Sequence, residues 1–564
     1  MEQNLILSER ETKRNMKKLY MIMMGLMIGV SSILAQPGPV QKTAKSVFTL
    51  TTFNKAGDII ASTQGVFIDN KGTAISTFKP FVGAVRATVV DASGKSMEVD
   101  AIMGADELYD VAKFRVEGNT TGANIAQKGS EAGSKVWLVP YSIKKPQYQQ
   151  EDVSSVEKFN TSYNYYIFIT TAPENAVGCP FVNKDGQIIG LMHNNGSVTA
   201  IDANYAKQLH VTGLSTLDAA LRESGIRTAL PDNENDAMTM MTLNKGQKSG
   251  DVYMKYANEF IDKFPASAFG YKEKALLLVN KEDYANAEKV LQEAIKKSND
   301  KAEAHSNFAD VIYQKLIYRG DSIFPSWNAD KALTEAQSAY SVKKEPLYKH
   351  QEAQINYLKK DYQKAYDLFM ELTKTPMNSG EVWFEAAQSK SQLKAPDAEI
   401  KVLLDSAISV GNRTNTAGPY YLARGRFLNA QGKFREALAD YNQYDSIARP
   451  IDPAFFYTRY QCELKLRQWQ QALLDIARTC YLSPKEPTYF AEWASLDLRV
   501  KRYEEGMKAA QACIDLAPEY ADGYLLLGIM QAETGKKAEA KKNLEKAKEL
   551  GDTRADEYLK KYKL

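Results

Sequence analysis

The sequence predicts a multidomain chain: an all-β half followed by an all-α half built from repeated helical hairpins. Three observations predict it. Residues 42–230 carry short apolar–polar alternations broken by Gly, Asn and Asp turns. At Pro231-Asp232-Asn233-Glu234-Asn235-Asp236 the chain turns polar, and beyond it the apolar period changes from 2 to 3.6. In that second half small residues return at intervals of mostly 34 or 35 positions.

Length and composition bound the rest. At 564 residues there is room for three or four domains, at roughly one per 150 residues. The 72 Lys and Arg are balanced by 69 Asp and Glu, so no basic field points to nucleic acid. Four Cys and four His are scattered, without C-x-x-C or H-E-x-x-H spacing. No metal site, disulfide scaffold or small-molecule cofactor is expected. At the N-terminus, Met16-Lys17-Lys18 precedes an apolar run that ends at Ala35. Residues 1–35 read as a secretory signal with its start at Met16, the other reading being an uncleaved anchor. No Cys lies near the cleavage point, which disfavours a lipoprotein. The expected location is outside the cytoplasm, periplasmic or outer-membrane-associated in a Gram-negative cell.

The β half (residues 42–230) opens with Val47 to Phe53 and turns at Asn54-Lys55-Ala56-Gly57. Gly65-Val66-Phe67-Ile68 meets the turn Asp69-Asn70-Lys71-Gly72 and returns as Thr73 to Thr77. Further strands are predicted at Arg86–Val90, Met97–Met103, Ala112–Val116 and Lys135–Pro140. Spacing of this kind suggests a barrel or sandwich. Val182 to Leu191, V-N-K-D-G-Q-I-I-G-L, is an Asp-Gly hairpin between apolar runs.

Four blocks in this half resemble the Deg/HtrA-type trypsin-like serine proteases, in family order. They are Q-G-V-F-I-D-N-K-G-T-A-I-S-T-F-K-P-F-V-G-A from Gln64, Y-D-V-A-K-F from Tyr109, the turn and hairpin from Thr171 to Leu191, and V-T-A-I-D-A-N-Y-A-K-Q-L from Val198. The resemblance implies a trypsin-like double β-barrel. It places the family's histidine on Lys79, its aspartate on Asp110 and its nucleophile on Val177. Valine has no lone pair to attack a carbonyl, and a charged lysine is no base. The resemblance therefore implies a degenerate triad of Lys79, Asp110 and Val177, with no catalytic residue; a Lys79–Asp110 ion pair is expected to fill the vacated space. Cys179 with His193 as its base is the alternative nucleophile. Against it, Cys179 reads as a small buried residue at a tight turn.

The α half begins with a linker and partial repeat over residues 231–267. Helix anchors then recur at Ala275, Ala309, Ala353, Ala387, Gly425, Tyr460, Ala494 and Gly528. Twelve residues after most of them stands a second small residue: Ala287, Ala365, Ala437, Ala472, Gly506 and Ala540. Small side chains at both places let paired helices approach closely. Tyr524-Leu525-Leu526-Leu527-Gly528 with Ala540, Leu544 and Ala547 resembles the tetratricopeptide consensus. About eight pairs are predicted over residues 268–550, with a capping helix over 551–564. An insertion bearing Phe324 and Trp327 either forms a contact loop or folds back on its own repeat. Cys462, Cys480 and Cys513 sit at small-residue positions, either paired or as buried thiols.

A solenoid of this kind presents a groove lined by first-helix side chains. Counting from the anchors, His350, Gln354, Arg426, Asn429 and Arg499 are the candidate binding residues. The function expected is an exported, non-catalytic scaffold. It would bind protein or peptide partners through the groove and barrel, within an envelope-associated complex. An active exported endopeptidase that recruits substrate through its repeats is the alternative. A third reading makes the barrel a docking module of a peptidoglycan or secretion adaptor.

Overall fold

The computed structural model describes residues 37–143, 148–320 and 323–564. The predicted signal segment lies outside them. The chain divides into two compact units, residues 1–299 and 300–564.

The first unit begins with α1 (Gly38–Thr43) and a six-stranded closed barrel. Its strands are β1 (Val47–Phe53), β2 (Ile59–Phe67), β3 (Thr73–Ser76), β4 (Arg86–Val90), β5 (Ser96–Asp106) and β6 (Val111–Val116), in the order β1-β2-β3-β6-β5-β4. A second sheet holds β7 (Lys135–Leu138), β8 (Gln149–Asp152), β9 (Ser155–Phe159), β10 (Tyr163–Phe168), β11 (Pro180–Val182), β12 (Ile188–Asn194) and β13 (Val198–Asp202), in the order β8-β7-β11-β12-β13-β10-β9. Its two edge strands, β8 and β9, are separated in the chain only by Val153 and Ser154. The Val153 amide donates to Ser134 O (3.0 Å) and the Ser154 amide to Ile167 O (2.9 Å), so the sheet curls back on itself.

Period-2 burial explains how the two sheets share side chains. Phe48, Phe67 and Phe114 fill the first barrel, while Val47, Val66 and Val111 point outward. Those outward residues meet Ile188, Leu191 and Ile201 of the second sheet in one core. The opposite face of the same strands, Ile189, Met192 and Ala200, packs inside the second sheet. Strands β12 and β13 are thus buried on both faces.

The chain leaves the second sheet through α2 (Ala203–Gln208) and α3 (Ala219–Arg222), and returns to the barrel at residues 227–229. Ile102 N–H donates to Arg227 O and Ala229 N–H to Ile102 O, which lays Arg227 over Asp100. Arg227 contacts Asp100 at 2.6 Å and also binds Glu259; Arg115 binds the same two acids at 2.6 and 3.1 Å. Burial opposes ionisation of Asp100, yet Arg227 and Arg115 outweigh it and hold its carboxyl below the usual range. Glu259 lies on α5 (Gly250–Lys263), which follows α4 (Glu234–Asn244) and precedes α6 (Ala268–Asn280) and α7 (Tyr284–Lys297). This buried four-charge cluster gives the physical reason these helices belong to the first unit.

The second unit contains seven described helical hairpins and a last helix. They are α8 (Lys301–Arg319) with α9 (Ala329–Val342), α10 (Pro346–Leu358) with α11 (Tyr362–Leu372), α12 (Gly380–Gln392) with α13 (Asp397–Arg413), α14 (Gly418–Ala430) with α15 (Phe434–Ala448), α16 (Pro453–Lys465) with α17 (Trp469–Leu482), α18 (Pro487–Arg499) with α19 (Tyr503–Leu516), α20 (Ala521–Glu533) with α21 (Lys537–Glu549), then α22 (Ala555–Tyr562). At the anchor Gly425, a Cβ would stand 2.8 Å from the Tyr441 ring, and at Gly528 one would stand 2.8 Å from Leu544. Only a missing side chain permits those crossings. Lys360, Lys394, Arg467 and Lys501 turn their hairpins with positive φ at non-glycine residues. Trp327 is fully buried against Phe308 and Phe324, so the insertion folds back on α8. All four cysteines are buried free thiols. Among the described residues no helix is long and apolar enough to cross a membrane.

Candidate functional site

Hydrogen bonds link the surroundings of the three positions Lys79, Asp110 and Val177. Lys79 opens the short turn after β3, and Asp110 precedes β6. The Asp110 carboxylate accepts the backbone amides of Phe78 (2.9 Å) and Lys79 (2.8 Å). That corrects the expected ion pair. The amides take the carboxylate oxygen, the Lys79 side chain is exposed, and no Lys79–Asp110 salt bridge forms among the described residues. Val177 joins the same region through its carbonyl, which accepts Thr63 Oγ1 (2.9 Å) and the Gln64 amide (3.1 Å). Thr63 Oγ1 in turn lies 3.4 Å from Thr77 Oγ1, two residues before Lys79.

The turn that carries Val177 is held from β2 by one side chain. Gln64 Nε2 donates to Asn175 O (2.6 Å), and its Oε1 accepts the Tyr141 amide (2.5 Å) and the Cys179 thiol (2.8 Å). Gly178 adopts φ +82 and packs so closely that a Cβ would stand 2.1 Å from Gln64 O. Cys179 is fully buried, and burial pushes its thiol well above the ordinary range. A thiol in that state has little thiolate to offer.

His193 does not face Cys179. Its Nδ1 lies 3.1 Å from Leu191 O, and its Nε2 lies 3.0 Å from Asp110 O and 3.9 Å from the Asp110 carboxylate. Both close partners are acceptors; a neutral ring donates to one of them, an imidazolium to both. The alternative pairing of Cys179 with His193 does not form: His193 lies against Asp110 and Cys179 against Gln64. Sequence reasoning missed Gln64 altogether, although it stands first in the block Q-G-V-F-I.

In the second unit the five candidate groove residues separate. His350 Nε2 lies 2.5 Å from Glu385, and Gln354 Nε2 donates to the same carboxylate at 2.8 Å. These two side chains tie α10 to α12. Arg426 is exposed on α14. Asn429 and Arg499 line one pocket of about 530 Å³ between α14, α16 and α18. With them stand Tyr460, Gln461, Lys465, Glu492 and Ser495, over apolar Phe434, Leu464 and Leu496. The Tyr460 hydroxyl donates to Glu492 at 3.0 Å.

Two arginines on the same helices behave differently from Arg499. Arg424 grips Asp440 through two bonds (2.8 and 2.6 Å) and Asp405 at 2.7 Å. Arg459 grips Asp475 (2.6 and 2.8 Å) and Asp445 at 3.0 Å. They stand one repeat apart and staple the first helix of each hairpin to its second. The sequence signal was the 35-residue recurrence of both Arg and Asp, visible only once the pairing is known. Among the described residues no group of three or more His, Cys, Asp and Glu side chains is placed to hold a metal ion.

No family model and no curated protein matches the chain. Among solved structures, the crystal structure of the serine endoprotease from Yersinia pestis is similar at 18% identity and a TM-score of 0.27, covering 34% of this chain and 68% of that one.

Proposed function

We propose that this chain is an exported, non-catalytic scaffold: a trypsin-like pseudoprotease domain of double-barrel type joined to a tetratricopeptide-type array that binds protein or peptide partners. The signal-like N-terminus supports a periplasmic or outer-membrane-associated location in a Gram-negative envelope. One observation carries the reading. At the turn where a nucleophile would stand there is an isopropyl group, and the neighbouring thiol is buried against Gln64 rather than an imidazole. Nucleophilic attack needs an exposed hydroxyl or thiol with a base to take its proton. The pocket at Asn429 and Arg499 supports the binding half of the proposal, since it gathers polar groups on successive repeats.

The test has two arms. Purified mature chain is incubated with casein, and the chain is cross-linked in its native envelope and its partners identified by mass spectrometry. The expected result is no hydrolysis and stoichiometric recovery of a protein partner. Casein turnover that stops when the turn is chemically blocked would overturn the proposal in favour of an exported endopeptidase.

A further inference from the structure

We propose that Asn195 is a site of spontaneous covalent modification. Its side-chain amide is converted to a carboxylate through the backbone amide of Gly196, which leaves aspartate and isoaspartate at the tip of the β12–β13 hairpin.

The neighbouring residue supplies the first argument. An asparagine side chain is attacked by the backbone nitrogen of the residue that follows, and a Cβ on that residue stands in the way. Asn195-Gly196 is the one Asn-Gly pair in the chain. Each other asparagine precedes a residue that carries a side chain.

The turn supplies the second. Asn194 pairs with Val198 across the hairpin, which leaves residues 195–197 as its exposed tip. Gly196 adopts φ +87, and nothing lies within 4 Å of where its Cβ would stand. Neither the Asn195 side chain nor the Gly196 amide makes a hydrogen bond among the described residues. Electrophile and nucleophile are both free, and the tip can rearrange without breaking a contact.

Other turns show what protection looks like. At Asp185-Gly186 the glycine amide donates to Asn183 O (2.9 Å), and a Cβ there would stand 2.4 Å from Pro39 O. The side-chain oxygen of Asn183 accepts the amides of Asp185 and Gln187, both at 3.0 Å. Asn378 precedes the small residue Ser379, but it accepts the Trp383 indole N–H at 2.9 Å, and Ser379 caps α12.

The chemistry needs only water. The Gly196 nitrogen bonds to Cγ of Asn195, the Cγ–Nδ2 bond breaks, and Nδ2 leaves as ammonia with the Gly196 proton. Water then opens the five-membered imide at one carbonyl or the other, giving aspartate or isoaspartate. The formal net charge of +3 falls by one unit. Because β12 and β13 are buried on both faces, the strands keep their register while the tip changes.

The experiment incubates the full mature chain at mildly alkaline pH beside the capped peptide His-Asn-Asn-Gly-Ser-Val. Acidic forms are separated by ion exchange, isoaspartate is labelled with an isoaspartyl methyltransferase, and peptides are mapped by mass spectrometry. Asn195 should convert first, within several-fold of the rate in the peptide, and faster as pH rises. Asn195→Gln should remove the label, and Gly196→Ala should slow conversion several-fold. Unchanged circular dichroism confirms that the variants fold. A native chain that stays intact while the peptide converts overturns the proposal, since the turn would then be protective. Conversion at Asn183 or Asn378 ahead of Asn195 overturns it too, as does label that persists in Asn195→Gln.

Discussion

The turn at Val177 and the pocket at Arg499 are opposites in how they treat polar groups. At the turn, each polar atom of the Gln64 side chain is matched within the chain, and the Asp110 carboxylate is taken by backbone amides. At the pocket, two cations stand open beside a lining acid that is already bonded. The difference teaches where to look for function. A network closed on itself stabilises and offers nothing to a ligand, whereas unmatched donors on a concave wall are available to one.

The comparison can be broken at several points. The largest effect is expected within the second unit, where Arg459 is matched and Arg499 is open. Asp475→Ala removes two of the bonds to the buried Arg459 guanidinium and leaves it Asp445, and should cost about 3 kcal/mol in denaturant unfolding. Arg499→Ala, one repeat on, should stay within about 0.5 kcal/mol. Near-equal losses would erase the distinction.

Next comes the turn itself. Gln64→Ala leaves the Cys179 thiol, the Asn175 carbonyl and the Tyr141 amide without their partner, and should cost about 2–4 kcal/mol. Alkylation of Cys179 should quicken in that variant. A stable variant with an inert thiol would show that the turn is closed by something else.

A pH series sharpens the comparison between matched and unmatched acids. Glu463 is buried on α16, with one carboxylate oxygen lacking a hydrogen-bond partner among the described residues. Burial, with Asp475 adding and Arg459 opposing, pushes it up to about 8. Asp497, buried on α18 beside Arg502 and Glu505, is pushed up to about 6 by burial above all. Both folded-state values lie above the unfolded ones, so the folded chain holds these protons more tightly. The stability these two groups contribute is fully present below about pH 3.8 and is lost as pH rises through 6 and 8. In a thermal-melting series, Glu463→Gln with Asp497→Asn should flatten that decline. An equal slope in the double variant would contradict the assignment.

The smallest effect concerns hairpin turns. Lys501 takes positive φ at a place where Gly432 and Gly535 occur in other hairpins. Lys501→Gly should stabilise by about 0.5–1 kcal/mol, read as a rise in the unfolding midpoint. Destabilisation would mean that the lysine side chain matters more than its backbone.

Much of this architecture could be read from residues alone, for local reasons. The Asp-Gly hairpin from Val182 to Leu191 and the small-residue recurrence through Gly425 and Gly528 are short-range signals. Counting back and forward from repeat anchors reached Asn429 and Arg499 because repetition converts sequence spacing into a shared face. The same counting reached His350 and Gln354, where it could not see Glu385 waiting on the next hairpin. Gln64 was illegible because its partners lie 77 to 115 residues away. Lys79–Asp110 failed for a related reason: side-chain types suggested a salt bridge, but backbone amides reach the carboxylate first.

The sealed turn is tested most directly by chemical reactivity in the native chain. Purified protein is treated with a fluorophosphonate and with iodoacetamide, before and after denaturation, and residues 63–77 and the segment 171–191 are mapped by mass spectrometry. The account predicts no adduct in that segment until the chain is unfolded, when Cys179 becomes alkylated. Rapid native labelling at Cys179, or a fluorophosphonate adduct on Thr63 or Thr77, would contradict it.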